Sequence, residues 1–179
     1  MAEIPNYRVG VHTPDPKVPV LWWRSVGHTH TAFVMESMVD EAAHAAGADP
    51  FEFRRALLAD HPRHLGVLEL AAEKAGWGLA LPAGQARGIA VHESFGSFVA
   101  QVAEVSVEDG EIQVNRVVIA VDCGIAVNPK TIDAQLKGAM AFGLSAALHS
   151  SLSMKEGEVQ ESNFHDYKVL RISHMPAVE

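Results

Sequence analysis

The sequence predicts an α+β fold: a helical cluster, then an antiparallel hairpin sheet and a glycine-containing helix. Three observations carry that prediction. Apolar residues recur at three- and four-residue steps between Thr31 and Ala75. After Pro82 the pattern turns to β-rich runs joined by an Asp-Gly turn. A second stretch of helical spacing opens at Asn128-Pro129.

Residues 1–20 carry Pro5, Pro14, Pro16 and Pro19 with little periodicity, so an extended arm is expected. From Thr31 to Ala46, Met35, Met38, Val39, Ala42 and Ala46 form an apolar stripe, and Glu36, Asp40 and His44 fall opposite it. That is the pattern of an amphipathic helix with a solvated acidic face, ended by Gly47. Asp49-Pro50-Phe51-Glu52 predicts a new start: Asp49 caps, Pro50 suits the first turn, and Glu52 completes a capping box. This helix should run to about Ala59. A third, His64 to Ala75, places Val67, Leu68, Ala71 and Ala75 on one face and stops at Gly76.

Gly88 to His92 and Phe98 to Val107 read as strands. Glu108-Asp109-Gly110 supplies the positive φ that a tight hairpin needs, and Glu111 to Val121 returns as its partner. The unbroken apolar run Val117 to Val121 predicts burial on both faces. The helix after Asn128-Pro129 carries a stripe of Ile132, Gln135, Leu136, Ala139, Met140, Gly143 and Ala147. Gly138 and Gly143 weaken a solvated helix and suit one that a backbone or ligand approaches closely. Lys155-Glu156-Gly157-Glu158 predicts a further hairpin turn, and the chain beyond Val159 reads as extended. The expected organisation is an arm over 1–20 and a partial domain over 21–179. Within that domain the helical part covers 28–78, and the sheet with its glycine-bearing helix covers 86–179.

Composition narrows the function. With 48% hydrophobic and 20% charged residues the chain is globular rather than disordered. A net charge of -8 disfavours nucleic acid as a partner; Arg54, Arg55, Arg63 and His64 form only a small basic cluster. The single cysteine, Cys123, cannot make an internal disulfide or an iron–sulfur cluster, so any electron-transfer centre must sit on another chain. No apolar run is long enough to span a membrane, and Met1 to Tyr7 has no signal-peptide pattern.

Three features could carry chemistry. The run Trp22-Trp23-Arg24-Ser25-Val26-Gly27-His28-Thr29-His30 precedes the first helix. It reads either as a phosphate or polar-cofactor contact built on Arg24 and the helix start, or as a buried aromatic corner with Arg24 paired to a carboxylate. Asp122-Cys123-Gly124, Asn128-Pro129 and Gln135 to Gly138 form a strand-to-helix junction. Gln135 offers a donor and an acceptor suited to a heterocycle edge, while the plainer alternative is a loop held by Asp122 and Asn128. The histidine pairs His28/His30 and His61/His64, with His92 and His165, lack a third metal ligand at any recognisable spacing and are expected to be surface or hydrogen-bonded groups. Ser94-Phe95-Gly96-Ser97 lacks the frame of a nucleophile elbow.

These segments also carry a family resemblance. Trp23 to Phe33, followed by Glu36 and Asp40-Glu41, resembles a cofactor-side motif of the xanthine dehydrogenase and aldehyde oxidase superfamily. Asp122 to Gly124, Asn128-Pro129, Gln135, Gly138 and Gly143 resemble its second molybdopterin-binding signature. Arg87 to Gly96 and Ser162 to Tyr167 are similar to isoquinoline 1-oxidoreductase-like large subunits. The resemblance spans roughly residues 18–179. It implies that Gln135 hydrogen-bonds the pterin, that Gly138 lies beside it, and that Arg24 and Gly27 form the turn near the molybdenum and the substrate channel. Val26 departs from the aromatic residue of xanthine dehydrogenases, which weakens a purine assignment.

The implied activity is hydroxylation of a nitrogen heterocycle or an aldehyde, with water as the oxygen source. The implied cofactor is molybdopterin as the molybdenum cytosine dinucleotide, with iron–sulfur clusters on a partner small subunit. The rest of the large subunit would complete the site. The family's catalytic glutamate lies in a Gly-Glu-Pro-like segment that this sequence lacks, and Glu179 has no such context. The chain alone is therefore expected to contribute cofactor contacts without turnover. It is also expected to self-associate through the apolar helix Ile132 to Leu148. The competing expectation is a degenerate, non-enzymatic relative that binds partners.

Overall fold

The computed structural model describes residues 6, 8–15, 17, 20 and 22–179. Pro5, Pro16 and Pro19 of the expected arm, and all of Met1 to Tyr7 except Asn6, lie outside them. Residues 8–15 form neither helix nor strand.

Three helices come first: α1 (His28–Ala45), α2 (Pro50–Leu57) and α3 (Pro62–Ala75). The caps act where the sequence puts them, but the capping box is only half made, because the Glu52 carboxylate pairs with Arg55 at 3.2 Å. The Asp49 carboxylate accepts from the backbone N–H groups of Phe51 and Glu52, Pro50 follows it, and Gly76 closes α3 in the left-handed region. Asp49 also accepts from the Trp77 indole at 3.1 Å, which ties the end of α3 to the start of α2.

A sheet follows. Strands β1 (Gln85–Ser94), β2 (Ser97–Glu108) and β3 (Glu111–Asp122) form an antiparallel meander. Asp109 and Gly110 take the positive φ expected of the second turn. The first turn, Phe95-Gly96, does the same with φ of 51° and 77°. Helix α4 (Pro129–Leu148) leaves the sheet, capped by Asn128, whose side chain accepts from Thr131 N–H. A small hairpin, β4 (Met154–Lys155) with β5 (Glu158–Val159), turns at Glu156-Gly157. The chain beyond Val159 is not simply extended. Asp166 accepts from backbone N–H groups of Ser162, Asn163 and Tyr167, which wraps a tight turn, and a 3₁₀ turn covers Ile172–His174. The last strand, β6 (Ala177–Val178), then pairs parallel to β3 and completes a four-stranded sheet in the order β1-β2-β3-β6.

The core lies between α3 and one sheet face. Val67, Leu68, Ala71 and Ala75 meet Ile89, Val91, Ala100, Val102, Val118 and Ala120, with Phe51, Trp77 and Phe98 at the margin. Burial of these apolar groups is the main driving force for the fold. Val117 is buried on the opposite sheet face, while Ile119 and Val121 are only partly covered, so the run is not uniformly closed on both sides. On that second face a cleft of about 620 Å³ separates the sheet from α1 and α4. Helix α4 buries only Met140, and Ala139, Phe142 and Ala147 remain exposed.

Helix α1 is rotated relative to expectation. Ala43 is its buried residue, whereas Met38, Ala42 and Ala46 are exposed. Glu36 and Asp40, expected on a solvated face, turn towards Arg54 of α2. The Arg54 guanidinium is 2% exposed. It donates to Glu36 at 2.8 Å, to Asp40 at 2.6 Å and to the backbone carbonyls of Glu36 and Pro50. The other demand on Glu36 comes from Val91 N–H on the outer edge of β1, at 2.9 Å. The small basic cluster is thereby dispersed: Arg54 is consumed here, and Arg63 pairs with Asp122.

Arg54→Met should destabilise the protein by about 3 kcal/mol, because the largely buried Glu36 carboxylate is left without its counter-ion, while the half-exposed Asp40 is resolvated. Urea denaturation checks this; a cost near that of an average surface substitution would contradict the assigned role.

Candidate functional site

The turn ahead of α1 is strained and tied down. Ser25 and Val26 have φ of 64° and 51°. A β-branched residue rarely adopts that conformation, and the cost is about 1–3 kcal/mol. The turn holds through Val26 N–H to the Trp23 carbonyl at 3.1 Å, and through the Ser25 and Thr29 hydroxyls, which both donate to the Arg24 carbonyl. Gly27 occupies the N-cap position of α1 with no side-chain cap.

No buried aromatic corner forms. Trp22 is 91% exposed, and Trp23 packs against Phe142 of α4 with ring centroids 4.8 Å apart. Nor does Arg24 meet a carboxylate among the described residues. Its Nη2 donates to Gln135 Oε1 at 3.3 Å, and its guanidinium lies 5.7 Å from the Phe142 ring centre. Two residues 111 positions apart, each singled out in the sequence, therefore meet. Phe142 lies two turns beyond Gln135 on α4, so helical spacing could have drawn attention to it.

At the strand-to-helix junction the side chains of Asp122 and Asn128 hold the loop. Asp122 accepts two hydrogen bonds from Arg63, at 2.7 and 2.8 Å, and one from Gly124 N–H at 2.9 Å. Arg63 chiefly, with Gly124 second, holds this carboxyl well below the usual carboxylate range. Arg63 also stacks over Phe98 at 4.1 Å. A pocket of about 410 Å³ lies beside the loop, lined by Val121, Cys123, Ile132, Leu136 and Lys137 among others. Gly138 and Gly143 have open space where a Cβ would stand, so no described part of the chain makes the expected close approach. Glu179 pairs with Arg116, which draws its carboxyl below the usual range. That is a structural role at the end of the sheet.

His28 and His92 are hydrogen-bonded and His30 and His165 are exposed, as expected, whereas His61 and His64 are half-buried and pack edge-on to each other, with His64 also against Phe98. Among the described residues no cluster of three or more His, Cys, Asp or Glu is arranged for a metal, and no helix is long and apolar enough to cross a membrane. One pair was not foreseen. His28 Nδ1 and His92 Nε2 share a hydrogen bond of 2.8 Å, which joins the start of α1 to β1, and Phe95 lies edge-on to His28. A cavity of about 350 Å³ beside them is lined by Glu36, Arg54, His64 and Glu93 as well.

Burial pushes His92 below its ordinary value of 6.5, with His28 as the second cause; burial does the same to His64. Below pH 6.5 the unfolded chain then binds more protons than the folded one. Stability from this source is complete above pH 6.5 and is lost as pH falls through that value towards the folded pKa. His92→Gln should flatten the fall of stability between about pH 5 and 6.5, as measured by urea titrations at a series of pH values. An unchanged slope would show that His92 does not drive it.

The family model described as a molybdopterin cofactor-binding domain matches residues 55–176. The beta subunit of isoquinoline 1-oxidoreductase from Brevundimonas diminuta is 36% identical over 98% of this chain and 23% of its own length. A nicotinate dehydrogenase subunit of Pseudomonas putida is 33% identical over 97% of this chain and 16% of its own. A membrane-bound aldehyde dehydrogenase of Gluconacetobacter polyoxogenes, named for pyrroloquinoline quinone, is 31% identical over 88% of this chain and 23% of its own. The chain thus spans about a quarter or less of the length of these curated relatives. Its relatives are oxidoreductases, and this α+β chain belongs to the molybdopterin cofactor-binding domain family.

Proposed function

We propose that the chain forms one face of a molybdenum cytosine dinucleotide site in the large subunit of a molybdenum hydroxylase. That enzyme would hydroxylate nitrogen heterocycles or aldehydes with oxygen from water. The observation that carries this reading is the contact of Arg24 with Gln135 beside Gly138. The donor set fits the cofactor: the guanidinium suits anionic or carbonyl oxygens, the Gln135 amide suits a heterocycle edge, and the open backbone at Gly138 admits a flat ring. Gly27, in the turn that carries Arg24, would border the substrate channel.

The cofactor, when bound, supplies the redox chemistry. The chain's own residues bind and orient it. Arg24 and Gln135 offer N–H donors, and Trp23 on Phe142 keeps the turn against α4. We assign no catalytic base here, because no Gly-Glu-Pro-like segment occurs in the sequence and Glu179 is occupied by Arg116. The base, the iron–sulfur clusters and the rest of the cofactor cradle would come from other parts of the assembly. In this reading residues 21–179 act as one partial domain, and exposed apolar surface on α4 faces those other parts or a second copy.

Metal and pterin analysis of the assembled complex tests the proposal. Molybdenum and pterin in near-equal amounts are expected; a matured complex with neither, or with pyrroloquinoline quinone in their place, would overturn it. The 179-residue chain alone should turn over neither quinoline-like nor aldehyde substrates, and light scattering should show association that grows with concentration.

A further inference from the structure

We propose that Arg24 is a positioning residue that fixes the polarity of the Gln135 amide, so that Gln135 presents its N–H₂ donor, and not its oxygen, to the cofactor. The inference rests on the reading of Gln135 as a cofactor contact.

The argument begins with the guanidinium. It carries five N–H donors and no acceptor. Whatever faces Arg24 Nη2 across 3.3 Å must therefore be the amide oxygen. A glutamine amide otherwise turns freely about a broad, roughly two-fold terminal torsion. Gln135 is exposed, and its side chain has no second hydrogen-bond partner among the described residues. Arg24 alone therefore decides which end of the amide points outward.

Arg24 is itself held on several sides. Its carbonyl accepts from the Ser25 and Thr29 hydroxyls, which fixes the backbone of the strained turn. Its guanidinium lies against Phe142, which Trp23 covers from the same turn. Lys137, a cation close to Gln135 along α4, is paired with Asp133 at 2.8 Å and leaves Gln135 to Arg24. With Oε1 engaged, the outward group is Nε2, and the matching ligand atom is an acceptor: a ring carbonyl or an unprotonated ring nitrogen.

The test uses the complete subunit assembled with its partners. It reads the apparent dissociation constant of the cofactor from pterin and molybdenum content on dilution, alongside the thermal midpoint. Gln135→Glu keeps an acceptor for Arg24 but removes the outward donor. It should weaken cofactor binding about tenfold, the effect of one hydrogen bond, at an unchanged thermal midpoint. Arg24→Lys, which still donates, should stay close to the unaltered protein. Arg24→Met and Gln135→Leu should each weaken binding, and the double variant should lose less than the product of the two losses, because part of the Arg24 effect passes through Gln135. Full binding by Gln135→Glu would overturn the assigned polarity. Multiplicative losses in the double variant would show Arg24 acting independently of Gln135. An unaltered complex without pterin would instead overturn the proposed function, and this inference with it.

Discussion

The rest of the structure depends on one buried cation. Arg54 reaches from α2 into the angle between α1 and the sheet, and Glu36 answers it there while accepting from the free edge of β1. That arrangement does three things. It gives a buried charge its counter-ions, which burial requires. It covers an edge N–H that would otherwise seek another strand. It also fixes the rotation of α1 about its own axis, and hence the direction in which its first turn points.

From that rotation follows the geometry of the candidate site. The start of α1 carries His28, which bonds to His92 on β1, and just before it the strained turn that projects Trp23 and Arg24 towards α4. Helix α4 has little other anchorage: Met140 is its buried side chain, and a cleft separates it from the sheet. The Trp23–Phe142 and Arg24–Gln135 contacts are thus the clasp between two segments that the chain order keeps far apart. A strained β-branched residue in the middle of the clasp accords with the tendency of functional sites to store backbone strain.

Much of the fold was legible because its signals are local. Asp49, Asn128 and Gly76 cap their helices through groups within three residues, and Asp109-Gly110 turns a hairpin by its own backbone preferences. The turn at Phe95-Gly96 was not legible, since phenylalanine at φ 51° carries no such preference and is held there by the paired strands. The face of α1 was misread for a related reason. Counting Glu36 as solvated is correct for an isolated helix and fails once Arg54 is packed against it, whereas Asp40 reaches the same guanidinium and stays exposed. The chain beyond Val159 was likewise read as extended, whereas Asp166 gathers three backbone N–H groups into a turn.

The sequence by itself determined the element types, most of their ends, the α+β class, and the identity of Arg24, Gly27, Gln135 and Gly138 as residues to watch. These follow from caps, periodicity and motif, all of which act over a few positions along the chain. Only the tertiary structure decided that Arg24 meets an amide rather than a carboxylate, that Asp122 serves Arg63, and that His28 finds His92. Each of those choices joins groups more than fifty residues apart. Long-range partners of that kind are set by packing and desolvation, which no local pattern encodes.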